Sequence, residues 1–137
     1  MRWIRKNGRV INLNITKYLC DFDSTKGSSG EVAVRKFLKK HSSTQVWCEQ
    51  VRIPGELMTI DFLAPGLKIA IEFDGKFHHA YNKWAHKGSK LNFLAQIKRD
   101  VSKDEHLTRN SFQIIRLEDS DLPLTLSLFR EKFEVYL

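Results

Sequence analysis

Apolar positions along the chain fall into runs separated by glycine, proline and small polar residues, and the spacing within each run predicts its element. From Ser28 or Ser29 onward, Val34, Phe37 and Leu38 form a stripe at helical spacing, and Ser28 with Glu31 has the separation of a capping box. Three strand-like runs follow: Gln45 to Ile53, closed by Pro54-Gly55; Met58 to Leu63, closed by Pro65-Gly66; and Leu67 to Asp74. Short turns between such runs predict an antiparallel meander. Gly88 to Asn110 reads as a long helix, with Leu91, Leu94, Ile97, Val101 and Leu107 on its apolar face and Lys90, Lys98, Arg99 and Lys103 on the other. Phe112 to Leu117 is a further apolar strand. Asp121-Leu122-Pro123 is expected to open a last helix with Leu126, Phe129 and Phe133 inward. The order helix, three strands, helix, strand, helix predicts an α/β (α+β) domain, a mixed sheet with helices packed on its faces.

Composition narrows the class. A chain of 137 residues is enough for one compact domain, and 42% hydrophobic with 11% aromatic residues suits a globular protein rather than a disordered one. Residues 23–30, Asp-Ser-Thr-Lys-Gly-Ser-Ser-Gly, read as a link. They separate a basic arm over 1–27, carrying Arg2, Arg5, Lys6, Arg9 and Lys17, from a single domain over 28–137. No apolar run approaches the roughly 18 residues needed to span a bilayer, and no apolar stretch follows the basic N-terminus. The expectation is a cytoplasmic chain with no membrane partner. Cys20 and Cys48 form no Cys-x-x-Cys pair and are expected to be free thiols in a reducing compartment. The charge of +7 suits a polyanionic partner, because neutralising phosphates releases counterions.

The acidic residues carry more information than the basic ones. Leu67 to Gly75 reads as a core strand, yet it ends in Glu72 and Asp74. Period-2 alternation puts Ile69, Ile71 and Phe73 on one face and Ala70, Glu72 and Asp74 on the other. Adjacent carboxylates near a sheet interior repel one another and resist desolvation, and a divalent cation removes both penalties. Asp61 lies eleven residues before Glu72, so a hairpin at Pro65-Gly66 brings the two close to opposite one another. Hard oxygen ligands in partial supply, with room for water and phosphate, describe a Mg²⁺ site.

These residues resemble the restriction-endonuclease-like nucleases of the PD-(D/E)xK superfamily: an acid on an early helix (Glu31), an Asp at a strand end (Ile60-Asp61-Phe62), then Glu72-Phe73-Asp74-Gly75. The usual motif has a lysine two residues after the second acid. Here that position is Asp74, and Lys76 lies two residues further on. The chain is similar in particular to the very-short-patch-repair branch, which includes the EDxHD-type homing endonucleases. Asp74-Gly75-Lys76-Phe77-His78-His79, then Lys98-Arg99-Asp100 with Lys103 and Leu107, then Ser111 to Leu117, follow that branch in order from about 28 to 119.

The resemblance implies a restriction-endonuclease-like fold and a metal-dependent DNA endonuclease using Mg²⁺, for which Mn²⁺ substitutes. It makes Asp61 the central ligand and Glu72 a second, with Asp74 a ligand or an orienter of the histidines and Glu31 holding a metal-bound water. His79, favoured over His78, acts at the scissile phosphate, with Asp100 orienting its ring. Lys76 is a further catalytic candidate. Lys90, Lys98, Arg99, Lys103 and Arg5 are expected to contact DNA phosphates. Symmetric cutting of both strands calls for a homodimer or two sequential nicks. Rival expectations are an inactive nuclease fold serving as a DNA-binding module, a subunit of a larger DNA-processing complex, and an RNA-directed phosphodiesterase.

Overall fold

The computed structural model describes residues 1–74 and 90–137. It opens with a hairpin of β1 (Arg2–Ile4) and β2 (Val10–Asn12), followed by helix α1 (Ser29–His41). The meander β3 (Cys48–Arg52), β4 (Thr59–Ala64) and β5 (Ile69–Phe73) comes next, and α2 (Lys90–Arg109), β6 (Gln113–Leu117) and α3 (Leu126–Phe133) complete the order. The main sheet runs β3-β4-β5-β6, with β3, β4 and β5 antiparallel and β6 parallel to β5. This is the mixed α+β architecture expected from the hydrophobic pattern. The parallel β5–β6 pair follows from the long α2 between them, since parallel neighbours need a crossover.

The local signals for α1 appear as anticipated. Ser28 caps the helix, its hydroxyl accepting the Glu31 N–H at 3.2 Å, and Val34, Phe37 and Leu38 are buried. Gly30 is required by a close approach, because a Cβ there would lie 2.2 Å from the Phe73 ring. The first turn of α1 therefore sits directly on the end of β5. The last helix begins later than expected, at Leu126, because Thr125 rather than Asp121 caps it: the Thr125 hydroxyl accepts the Leu128 N–H at 3.1 Å. Asp121 instead closes a short 3-10 turn, accepting the Glu118 N–H at 2.9 Å and pairing with Lys132 at 2.6 Å.

Two apolar clusters flank the sheet. On one side α1 and α3 cover Phe62, Ala64, Ile69, Ile71, Ile115 and Leu117, with Phe37 and Phe129 stacked at 4.7 Å between ring centroids. On the other, Trp3 of the N-terminal hairpin and Leu107 of α2 pack with Cys48, Val51, Leu63 and Ala70. Asn110 joins the hairpin to the end of α2: its Oδ1 accepts the Ile4 N–H at 2.6 Å, and its Nδ2 donates to the Ile4 carbonyl at 3.1 Å. The segment read as a link is tied to α1, since the buried Arg35 donates to the carbonyls of Ser24 (3.1 Å) and Lys26 (2.5 Å) and to Glu49 (2.7 Å).

One expectation is reversed. Helices packed on the sheet would bury the apolar face of the long helix, but Leu91, Leu94, Ile97 and Val101 are all exposed, and the buried residues of α2 are His106 and Leu107. The helix is anchored at its C-terminal end, so its apolar period defines a face without deciding that the sheet lies beneath it.

Candidate functional site

Asp61 and Glu72 are brought together by the β4–β5 ladder. Phe62 pairs with Ile71, so one step further Asp61 stands across from Glu72. The regular ladder stops there, because the Asp61 carboxylate itself accepts the Phe73 N–H at 3.0 Å. Across the other neighbour, Glu49 pairs with Phe62 and Val51 with Ile60, which places Gln50 beside Asp61. Gln50 adopts a φ of +51°, a left-handed conformation at which the β3–β4 pairing skips a residue. Its side chain accepts from the Thr59 hydroxyl at 3.1 Å and donates to Glu31 Oε2 at 3.3 Å.

Glu72 is 2% exposed. The Lys103 ammonium reaches it from α2, 3.0 Å from Oε1, and the Lys103 side chain is itself only 16% exposed. The approach is oblique: Oε1 has a cation beside it but no hydrogen bond. Burial, then the negative charge of Asp61 and a hydrogen bond shared with it, push the Glu72 carboxyl up to about 9, against the opposing pull of Lys103. At neutral pH Glu72 therefore favours its protonated form.

Asp74 was expected to join these two. It lies on the same α2-facing side, but Arg116 stands against it, with Nη1 donating at 3.1 Å. Arg116 is the β6 partner of Glu72 in register, and it also pairs with Asp104 and donates to the Asp100 carbonyl at 3.5 Å. Burial by itself lowers the pKa of Arg116; the hydrogen bonds and charges of Asp104 and Asp74 outweigh it, so the guanidinium is held charged more firmly than usual. The carboxylates thus gather at one end of the sheet with cations interleaved among them. Among the described residues, no three Asp, Glu, His or Cys side chains form a group able to hold a metal ion by themselves.

Glu31 occupies the neighbouring position at the start of α1, engaged by Ser28 (3.2 Å), Gln50 (3.3 Å) and Arg35 (3.9 Å). Lys90, Lys98 and Arg99 lie exposed along α2. Lys103, expected on that solvated face, turns to Glu72 instead. A groove of about 500 Å³ runs beside it between the β3–β4 turn and α2, lined by Met58, Thr59, Gln96, Arg99 and Asp100. Arg5 sits on the far side of the same turn, lining a smaller cavity of about 220 Å³ with Gly55 and His106. Lys76, His78 and His79 lie outside the described residues.

Two participants, Gln50 and Arg116, escape the sequence reading, and a third, Lys103, has a different partner from the one expected. Gln50 carries no local signal. Arg116 could have been suspected, as a charged residue inside an apolar strand, but its partner was not legible. Lys103 was singled out for its charge, not for its contact. The two cysteines are free, and burial, with Glu49 beside Cys20, pushes the Cys20 thiol up to about 12 and raises that of Cys48. Neither is poised as a nucleophile.

Compared with known proteins, the chain matches no family model, no curated protein and no solved structure. No described helix is long and apolar enough to cross a membrane. The functional reading therefore rests on the residues.

Proposed function

We propose that this chain is a Mg²⁺-dependent DNA endonuclease of the restriction-endonuclease-like kind, with Asp61 and Glu72 as protein ligands of the ion and Mn²⁺ able to replace it. Glu72 carries the proposal. A carboxylate 2% exposed, with one oxygen lacking a hydrogen bond and a second carboxylate beside it, is costly to maintain for structure alone. The donor set fits the ion, because Mg²⁺ is commonly held by one or two carboxylates, with water and substrate phosphate completing its shell. When bound, such an ion neutralises the acidic pair and supplies Lewis acidity toward a phosphodiester.

The chain's own residues do the remaining work. The resemblance would put a lysine two residues after Glu72; this chain has Asp74 there, and Lys103 offers an ammonium at Glu72 from α2 instead. Arg116 holds Asp74 and Asp104 and so braces the end of β5 against α2. Lys98 and Arg99, with Arg5 on the hairpin, supply positive charge for phosphates, Glu31 adds an acid from α1, and Asp100 lines the groove. His79, favoured over His78, is the candidate to act at the scissile phosphate, and Lys76 is a further catalytic candidate.

The Lys103–Glu72 pair also favours one alternative. Because Lys103 already supplies a cation to Glu72, the same arrangement suits a metal-free DNA-binding module or a subunit of a DNA-processing complex. Cleavage of supercoiled plasmid by wild type and Asp61→Ala, in Mg²⁺, Mn²⁺ and EDTA, separates the two. Metal-dependent nicking or linearisation, reduced in the mutant by about 10³-fold or more, is expected. Cleavage that survives Asp61→Ala discards the site as drawn, and salt-dependent binding with no cleavage in any metal selects the binding module.

A further inference from the structure

Lys103 reaches the acidic pair from outside the strands that form it. Its ammonium lies 3.0 Å from Glu72 Oε1, at the end of a side chain 16% exposed, while Glu72 itself is buried. The contact is single and oblique, and Oε1 is left without a hydrogen bond. Asp74, the other buried acid at this end of β5, is held differently. Arg116 donates to both of its oxygens, at 3.1 and 3.4 Å, and also pairs with Asp104. A planar guanidinium fixed between two acids is a lasting brace, whereas one ammonium on a flexible four-carbon stem exchanges its partner readily.

Charge and space say what the exchange is for. With both acids ionised, Asp61 and Glu72 together exceed the single positive charge of Lys103, an excess that a divalent cation matches and an ammonium does not. Two cations at one buried carboxylate repel, because little water is left to screen them. Lys103 also lines the groove of about 500 Å³ between the β3–β4 turn and α2, beside Gln96, Arg99 and Asp100, so its ammonium has an open place to go. We infer that Lys103 is the resident counter-ion of Glu72, in competition with the divalent cation, and that on metal loading Lys103 leaves Glu72 and turns its ammonium into the groove, toward a substrate phosphate. This role rests on the metal site proposed above and adds an order to it: the groove gains its innermost cation only when the acidic pair is loaded.

Two measurements on the full chain, without DNA, test this at a pH of about 9, where a proton competes less for Glu72. In calorimetric titration with Mg²⁺, Lys103→Met is expected to bind about 10-fold more tightly than wild type, because molecules with Glu72 already paired no longer count against the ion. Lys103→Arg keeps the charge and should bind no more tightly than wild type. Acetylation of lysines, read by mass spectrometry, follows the ammonium itself. Lys103 should react slowly without Mg²⁺ and severalfold faster with it, while Lys98, exposed on α2, reacts equally in both. Asp61→Asn should abolish Mg²⁺ binding and the change in labelling together. Mg²⁺ binding with Lys103 labelling unchanged, or with Lys103→Met binding no more tightly, overturns the exchange and leaves the metal site standing. A wild type that binds no Mg²⁺ overturns the metal site and the exchange with it. The labelling of wild type needs no substitution, so a variant that fails to fold does not remove the test, and no outcome depends on nuclease activity.

Discussion

The two sides of the sheet solve different problems. On the side covered by α1 and α3, the core is hydrocarbon and aromatic, and the buried polar groups around it are all matched. Arg35 meets Glu49 and two carbonyls, the Ser42 hydroxyl accepts the Trp47 Nε1–H at 3.0 Å, and Asp121 caps a turn and pairs with Lys132. On the side covered by α2 and the hairpin, Glu72, Asp74, His106 and Asn110 are buried among the aliphatics. The buried side-chain atoms left without a hydrogen bond among the described residues, Trp3 Nε1 and Glu72 Oε1, both belong to this side. Fully matched polar groups stabilise; a carboxylate buried beside another and incompletely satisfied does not. One side makes the fold stable, and the other tolerates a local cost where a reacting group would be needed.

That contrast can be broken by experiment. The largest stability effect is expected on the first side. Phe129→Ala removes a fully buried ring stacked on Phe37 and should cost roughly 3–5 kcal/mol in urea unfolding, with no change in the metal requirement of any cleavage. A loss below about 1 kcal/mol would mean that α3 contributes little to the core.

Next comes Arg116→Ala, which leaves Asp74 buried without its guanidinium. A cost of roughly 3 kcal/mol is expected, and because Arg116 also holds Asp104, Asp104→Asn should recover part of the Asp104 contribution but not that of Asp74. Equal recovery by Asp104→Asn and Asp74→Asn would show that the two carboxylates are interchangeable partners.

The last effect is read as a slope, not a loss at one pH, and it is the most diagnostic. In the unfolded chain Glu72 loses its proton near the ordinary 4.5, but in the folded protein only at about 9. Between those values the folded state holds the extra proton, so Glu72 makes stability fall as pH rises through that window, by at most about 1.4 kcal/mol per pH unit. Glu72→Gln should flatten this fall and leave the metal-free protein more stable at pH 8. An unchanged slope would show that Lys103 keeps Glu72 ionised, making the acidic side as well satisfied as the other.

Local chemistry was readable along the chain. Ser28 and Glu31 announced the start of α1, the proline-glycine turns spaced the meander, and the eleven residues from Asp61 to Glu72 predicted their apposition, because turn residues and period-2 alternation act over a few positions. Alternation also placed Glu72 and Asp74 on one side of β5. What depends on distant contacts was not readable. The pairing of Asp74 with Arg116 requires the parallel register of β5 and β6, and the contact of Lys103 with Glu72 requires α2 to cross the sheet at a particular rotation. A helical period states that one face is apolar, and it is equally satisfied by a sheet or by another molecule. Among the described residues, the burial of Leu107 and His106 at the far end of α2 goes with Leu91, Leu94, Ile97 and Val101 turned outward and Lys103 turned to the buried acids.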